Sequence, residues 1–214
     1  MRERDEGGSD MTTRADDPWD DEFERCVAFH GHACPGLAIG YRAAKAGLGW
    51  LGERRAADEE IVAVVETDAC GDDAIQVLTG CTFGKGNLIF RDYGKHAYTF
   101  LSRSSGRGVR LLLRAGGPPR TSAQAALFER VRAGEATDED LLQYGKDQKG
   151  RIQEVLTRPL EQLFVLQEVH MALPPRAILG DSRPCDRCGE MTMSLKMVER
   201  AGLLLCRGCL AAEG

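Results

Sequence analysis

The sequence predicts an α+β main domain followed by a small module built on four cysteines. Three observations predict it. Helix-period and strand-period segments mix along residues 20–175 without a strict βαβ repeat. No GxGxxG follows a strand, which weakens a Rossmann reading. Beyond Pro174 and Pro175, two Cys-x2-Cys pairs stand seventeen residues apart in a stretch too short to bury much core of its own. The 214 residues allow one domain with an appendage, or two small ones. The expected division is an acidic, disordered tail over 1–19, a main domain over 20–175 and a cysteine module over 176–214.

The elements follow in order. Phe23, Cys26 and Val27 recur at helical spacing, so residues 20–29 read as a helix, with Cys26 as a small buried hydrophobe. A turn with Gly and Pro covers 30–36. A second helix follows over 36–48, with Pro35 near its start, where proline is tolerated. Residues 61–67 read as a buried strand. Asp72 or Asp73 caps a short helix that reaches Leu78 and ends at Gly80. Residues 84–87 form a tight turn. Residues 95–102 and 109–115 read as strands, and Gly116, Gly117, Pro118 and Pro119 break the chain. Helices follow over 122–133 and 138–157, then a last strand over 163–170. His96 and His170 fall in these strands and are assigned structural roles by burial.

Composition excludes several classes. The protein is 43% hydrophobic and 29% charged, which is ordinary for a soluble globular protein. The longest clear aliphatic run, Ile61–Val65, is far below the ~18–20 apolar residues of a membrane span. The first 22 residues carry nine acidic and three basic side chains, unlike a secretory or transit segment. A cytoplasmic location is therefore expected. The net charge of −5 sits in that tail, and the rest of the chain is nearly balanced, so nucleic-acid binding is not favoured. One stretch, residues 95–120, holds Lys95 and five arginines with no acid. It reads either as a face for an anionic ligand or as an exposed basic sheet face.

Eight cysteines in a reducing compartment point to metal or redox chemistry rather than disulfides. Cys185, Cys188, Cys206 and Cys209 form two knuckles whose four thiolates suit tetrahedral zinc and leave no open position, so a structural zinc site is expected. Gly189 and Gly208 offer permissive backbone at the knuckles. Residues 176–214 hold six basic and five acidic side chains, and a zinc with four thiolates adds negative charge, which speaks against duplex DNA.

The second cluster is His30, His32 and Cys34, three good ligands for zinc, nickel, iron or copper within five residues. The competing reading is a helix-capping His-Gly pair beside a buried cysteine. Cys70 stands between a strand and a helix, where a helix N-terminus favours the thiolate. Residues 84–87 do not form a P-loop, though Lys85 can still reach an anionic ligand.

At these residues the chain resembles the FmdE family, named for a component of formylmethanofuran dehydrogenase. The resemblance is carried by Phe29-His30-Gly31-His32-Ala33-Cys34-Pro35-Gly36-Leu37 with Gly40, by Cys70-Gly71-Asp72-Asp73-Ala74-Ile75-Gln76, by Thr79-Gly80-Cys81-Thr82, by Gly84-Lys85-Gly86-Asn87-Leu88 and by Asp92-Tyr93-Gly94-Lys95. It covers residues 20–175, and 183–211 as the family's optional zinc module of ribbon or treble-clef type. It implies a mixed sheet similar in architecture to the catalytic domain of glyceraldehyde-3-phosphate dehydrogenases, and a homodimer. It also implies a metal site at His32 and Cys34, completed or flanked by His30 and Cys70. Asp73, Gln76, Lys85 and Cys81 then stand behind the ligands or touch a bound molecule. Two functions follow. The first is an accessory or maturation protein for a molybdenum or tungsten oxidoreductase. The second is a metalloenzyme or thiol enzyme acting on a small anionic or sulfur-containing substrate, with Cys70 as its nucleophile and His30 or His32 as base.

Overall fold

A computed structural model describes residues 19–114, 120–177 and 180–212. The chain divides into two compact units at Pro174 and Pro175. Residues 1–18, which hold most of the expected tail, and residues 116–119 of the expected chain break lie outside the described residues. Trp19 does not belong to a free tail, since its ring meets Phe23 edge-on at 5.2 Å.

The first unit opens with α1 (Asp21–His30) and α2 (Pro35–Leu51). Asp20 caps α1 by accepting the Phe23 N–H at 2.9 Å, and its other oxygen accepts the Tyr41 hydroxyl at 2.5 Å, which ties α1 to α2. Then come β1 (Ile61–Val65), α3 (Gly71–Thr79), β2 (Leu88–Phe90), β3 (Ala97–Ser102), β4 (Gly108–Leu113), α4 (Ser122–Ala133), α5 (Asp138–Thr157), α6 (Leu160–Leu163) and β5 (Phe164–Val169). The sheet order is β2-β1-β3-β4-β5. β1 and β2 are parallel, joined through α3, and the other pairs are antiparallel. The architecture is therefore α+β with a mixed sheet.

β1 and β3 are buried along their whole length. Ala63 and Val65 of β1, with Tyr98 and Phe100 of β3, join Leu37, Ala44, Ile75 and Ile152 in one core. Two glycines set how closely the parts approach. A Cβ on Gly40 would lie 2.0 Å from the Gly71 carbonyl oxygen, and one on Gly47 would lie 2.2 Å from the Phe100 ring. α2 can thus lie almost backbone to backbone on the start of α3. Arg42 of α2 donates to the carbonyls of Val155 and Arg158 at 2.7 and 2.8 Å, satisfying acceptors at the end of α5.

Several expectations are corrected. Cys70, not Asp72 or Asp73, is the cap residue of α3, and the two aspartates lie in its first turn. β2 is an unforeseen strand, fixed by its register against β1. α2 runs on to Leu51, and β1 stops at Val65. His96 and His170 lie just outside β3 and β5, and both are exposed, so neither is a buried structural histidine.

The second unit has the hairpins β6 (Ser182–Pro184) with β7 (Met191–Met193) and β8 (Val198–Arg200) with β9 (Leu203–Leu205), then α7 (Arg207–Ala211). One knuckle follows β6, and the other opens α7 with Cys206 as its cap. Gly189 has a left-handed φ of 75°, as a knuckle needs, whereas Gly208 is simply helical.

Candidate metal centres

The first centre is built by two helix ends. α1 places His30 at its last position, and Gly31, with φ 92°, ends the helix and turns the chain. Three residues later Cys34 caps α2, its sulfur accepting the Leu37 N–H at 3.3 Å, with Pro35 following it. The ligand atoms of His30, His32 and Cys34 consequently all lie within 4.8 Å of one another. His30 Nε2 is 4.0 Å from Cys34 Sγ, and the two imidazoles lie 4.5 Å apart, tilted by 39°.

Asp73 orients this group. Its Oδ2 accepts the His30 Nδ1 proton at 2.7 Å, which leaves the Nε2 lone pair for the side facing Cys34. Gln76 donates to Asp73 Oδ1 at 3.3 Å. Burial pushes the Cys34 thiol up to about 11, against the Leu37 N–H that favours the thiolate. The neighbouring Cys70 thiol adds to the rise. A cation is what would displace that proton. Donors on one tetrahedral metal stand about 3.3–3.8 Å apart, so the spacing fits a borderline-soft ion after small rotations. Three protein ligands would leave a coordination position for a further group.

A cleft of about 480 Å³ borders the group, with His30, Cys70, Asp72, Asp73, Phe83 and Phe90 among its walls. Burial first, and then the charges of Asp73 and Asp68, push the Asp72 carboxyl up to about 7. Asp72 Oδ1 is sealed from solvent and has no hydrogen-bond partner among the described residues.

The second centre brings all four module cysteines together. Cys185 Sγ lies 3.9 Å from Cys209 Sγ, Cys188 Sγ lies 3.9 Å from Cys206 Sγ, and all four sulfurs are within 4.8 Å of one another. Thiolates on zinc, each at about 2.3 Å, sit about 3.8 Å apart, so the donor set fits. The Cys206 N–H points at Cys185 Sγ at 3.2 Å. Backbone N–H groups of Cys188, Cys206 and Arg187 lower the Cys185 thiol to about 6.

Residues 29–165 match the model of a family described as "FmdE, Molybdenum formylmethanofuran dehydrogenase operon". The chain belongs to this family. A relative from Archaeoglobus fulgidus, named "Probable S-adenosyl-L-methionine-binding protein", is 33% identical over 192 residues. That match covers 86% of this chain and 52% of the relative, so the chain spans about half the length of that protein. A crystal structure of a tungsten formylmethanofuran dehydrogenase FmdE-like protein from Syntrophus aciditrophicus superposes with a TM-score of 0.58 at 24% identity. It covers 88% of this chain and 90% of that one, and it shows a shared fold.

Within this member of the family, the expected site residues divide. His30, His32, Cys34, Asp73 and Gln76 are brought together. Cys70 stands next to Cys34 and on the cleft wall, but outside the three-ligand group. Lys85 donates to the Asp58 carbonyl at 2.9 Å and is not on the cleft wall. Cys81 is fully buried, its thiol on the Ile61 carbonyl at 3.4 Å. The basic stretch finds partners within the chain instead of forming a free face. Arg110 grips Glu66 through two bonds of 2.6 and 2.8 Å, and Arg103 and Arg114 donate to backbone carbonyls. Arg107 and Arg120 stack on Trp50 and Phe128. Sequence reasoning missed Phe83 and Phe90 as cleft walls and Asp72 as more than a cap. For Asp72 the Cys-Gly-Asp-Asp run was a usable signal. For the phenylalanines there was none.

Proposed function

We propose that this chain is a metal-binding protein. His30, His32 and Cys34 hold a transition ion (zinc, nickel, iron or copper), and the four module cysteines hold structural zinc. The observation that carries the first site is the 2.7 Å contact of Asp73 with His30, since a carboxylate behind a histidine fixes its tautomer for ligation. Bound there, the ion supplies Lewis acidity. The protein's own part is to orient His30 through Asp73, to keep the Cys34 sulfur on the Leu37 N–H, and to offer the cleft to a small ligand. In the cell the chain serves a molybdenum or tungsten oxidoreductase as an accessory or maturation protein, working in the cytoplasm as a homodimer. The family's description supports that role.

A second reading makes the site act on its ligand directly, with Cys70 as nucleophile. It is favoured by the cleft, which has Cys70 in its wall. The name of the Archaeoglobus relative makes S-adenosyl-L-methionine the first ligand to try.

Elemental analysis of the full chain tests the proposal. Two metals per chain are expected in the wild type and one in Cys34→Ser. One metal per chain in both would remove the first site. Co-purification with a large oxidoreductase separates the accessory role from the second reading, which requires turnover that is lost in Cys70→Ser while both metals stay.

A further inference from the structure

We infer that Cys34 and Cys70 are a redox pair, which a peroxide closes to a disulfide while the first site holds no metal. The pair stands on the thiols themselves. Its exclusion by metal rests on the first site proposed above.

Three observations carry it. The first is convergence. Cys34 caps α2 and Cys70 caps α3, so the close approach of these two helices sets the thiols side by side. Gly36 keeps the space beside them open. A Cβ there would lie 3.7 Å from Cys70 Sγ and 3.8 Å from Cys34 Sγ. Both cysteines are free. A shared ion would also gather thiols, but Cys70 stands outside the group whose donor atoms lie within 4.8 Å of one another.

The second observation is a difference in access. Cys70 lies in the wall of the open cleft, whereas Cys34 is not on that wall and holds the Leu37 amide. A small oxidant entering the cleft meets Cys70 first. Cys34 waits behind it as the resolving thiol.

The third observation is a base for the second step. Asp73 holds the Nδ1 proton of His30 at 2.7 Å, and His30 Nε2 stands 4.0 Å from Cys34 Sγ. Carboxylate, imidazole and thiol in that succession are the parts that take a proton from a sulfur as it attacks. The other cysteines of the first unit have no such setting. Cys26 and Cys81 are fully buried, and the Cys81 thiol is spent on the Ile61 carbonyl.

The chemistry runs in two steps. The Cys70 sulfur attacks one oxygen of the peroxide; the S–O bond forms, the O–O bond breaks, and water leaves with the thiol proton. Cys34 then attacks the sulfenic sulfur of Cys70. The S–S bond forms, the S–O bond breaks, and His30 passes the Cys34 proton to the departing hydroxide as a second water. Two electrons from the two thiols have reduced one peroxide. An ion on the first site would take both the Cys34 sulfur and the His30 Nε2 lone pair, so a loaded site would not close. A closed pair, in turn, would have no thiolate to offer an ion.

The test uses the full chain and hydrogen peroxide. His32→Ala empties the first site at an exposed position without touching either thiol or the His30–Asp73 pair. After a single equivalent of peroxide, remaining thiols are alkylated and the digested protein is weighed by mass spectrometry. His32→Ala is expected to give a peptide pair linked through Cys34 and Cys70, reopened by a dithiol reductant. Wild type loaded with zinc at both sites is expected to close about 10-fold more slowly. Cys34→Ser, in which serine can still cap α2, is expected to leave Cys70 as a sulfenic acid that dimedone traps. Cys70→Ser is expected to leave Cys34 as the thiol. Asp73→Asn, combined with His32→Ala, is expected to slow the closing step about 10-fold while dimedone labelling of Cys70 rises. Absence of the Cys34–Cys70 link in His32→Ala overturns the inference and leaves the metal proposal standing. So does a link from Cys70 to any other cysteine. A link that forms equally fast in wild type, with one metal per chain in both proteins, supports the pair and overturns the metal proposal instead.

Discussion

Asp73 uses both of its oxygens to hold other side chains, one on His30 and one on Gln76. Asp73→Asn keeps the shape and removes the charge. It is expected to lower metal affinity at the first site about 10–100-fold, read by chelator competition, with the four-cysteine site unchanged. Its neighbour Asp72 titrates the other way from most carboxyls. Its value rises from 3.8 in a free chain to about 7 in the fold, so the folded state holds that proton more tightly. Stability from this group is full below about pH 4 and falls as the pH rises toward 7. Asp72→Asn is expected to flatten that part of the stability–pH curve in denaturant titrations. Glu66 behaves in the opposite sense. The Arg110 guanidinium holds its carboxyl below the usual 4.5, so the pair stabilises the fold above that pH and fails as acid protonates Glu66. Arg110→Gln leaves Glu66 buried without its partner. About 3 kcal/mol of stability is expected to go at neutral pH, with a smaller loss in acid.

At the scale of elements, the first centre depends on how closely α2 and α3 approach. Gly40 permits this, because any Cβ there would strike the Gly71 carbonyl. Gly40→Ala is expected to cost about 3 kcal/mol, seen as a lowered melting temperature, because backbone must move to admit it. The same alanine should loosen the first metal site, since Cys34 and Asp73 stand at the starts of these two helices. What was legible in the sequence follows from range. α4 and α5 match residues 122–133 and 138–157 because their capping boxes, Thr121 with Gln124 and Thr137 with Asp140, are local. The His30–His32–Cys34 group was legible for the same reason. β2 was not, since three residues show no periodicity and only pairing with β1 makes them a strand. The cleft was hidden with it, because Phe90 stands at the end of β2 and Phe83 on the turn after α3. Cys70 stands at the cap of α3 without a side-chain cap hydrogen bond, so no residue preference marked it in the sequence.

Taken whole, the chain holds two units with different sources of stability. The first has a large apolar core spread over a five-stranded sheet and helices α1, α2, α3, α5 and α6. The second has short hairpins, with Met191, Met193, Leu195, Val198 and Leu203 exposed, and among its described residues only Cys185 and Leu205 are buried. With the proposed zinc on its four cysteines, a strong chelator is expected to unfold the second unit and leave the first melting cooperatively, as two separated transitions in a calorimetric scan. Among the described residues, no helix is long and apolar enough to cross a membrane.

The sulfur of Cys34 is at once a candidate ligand and the group that receives the Leu37 amide in the first turn of α2. Occupancy of the site and the start of a helix are then one event. A thiolate drawn onto an ion still accepts the Leu37 N–H, and the chain around it loses its freedom to fray. The exchange of that single amide proton with heavy water would slow on loading, so one resonance would report how full the centre is.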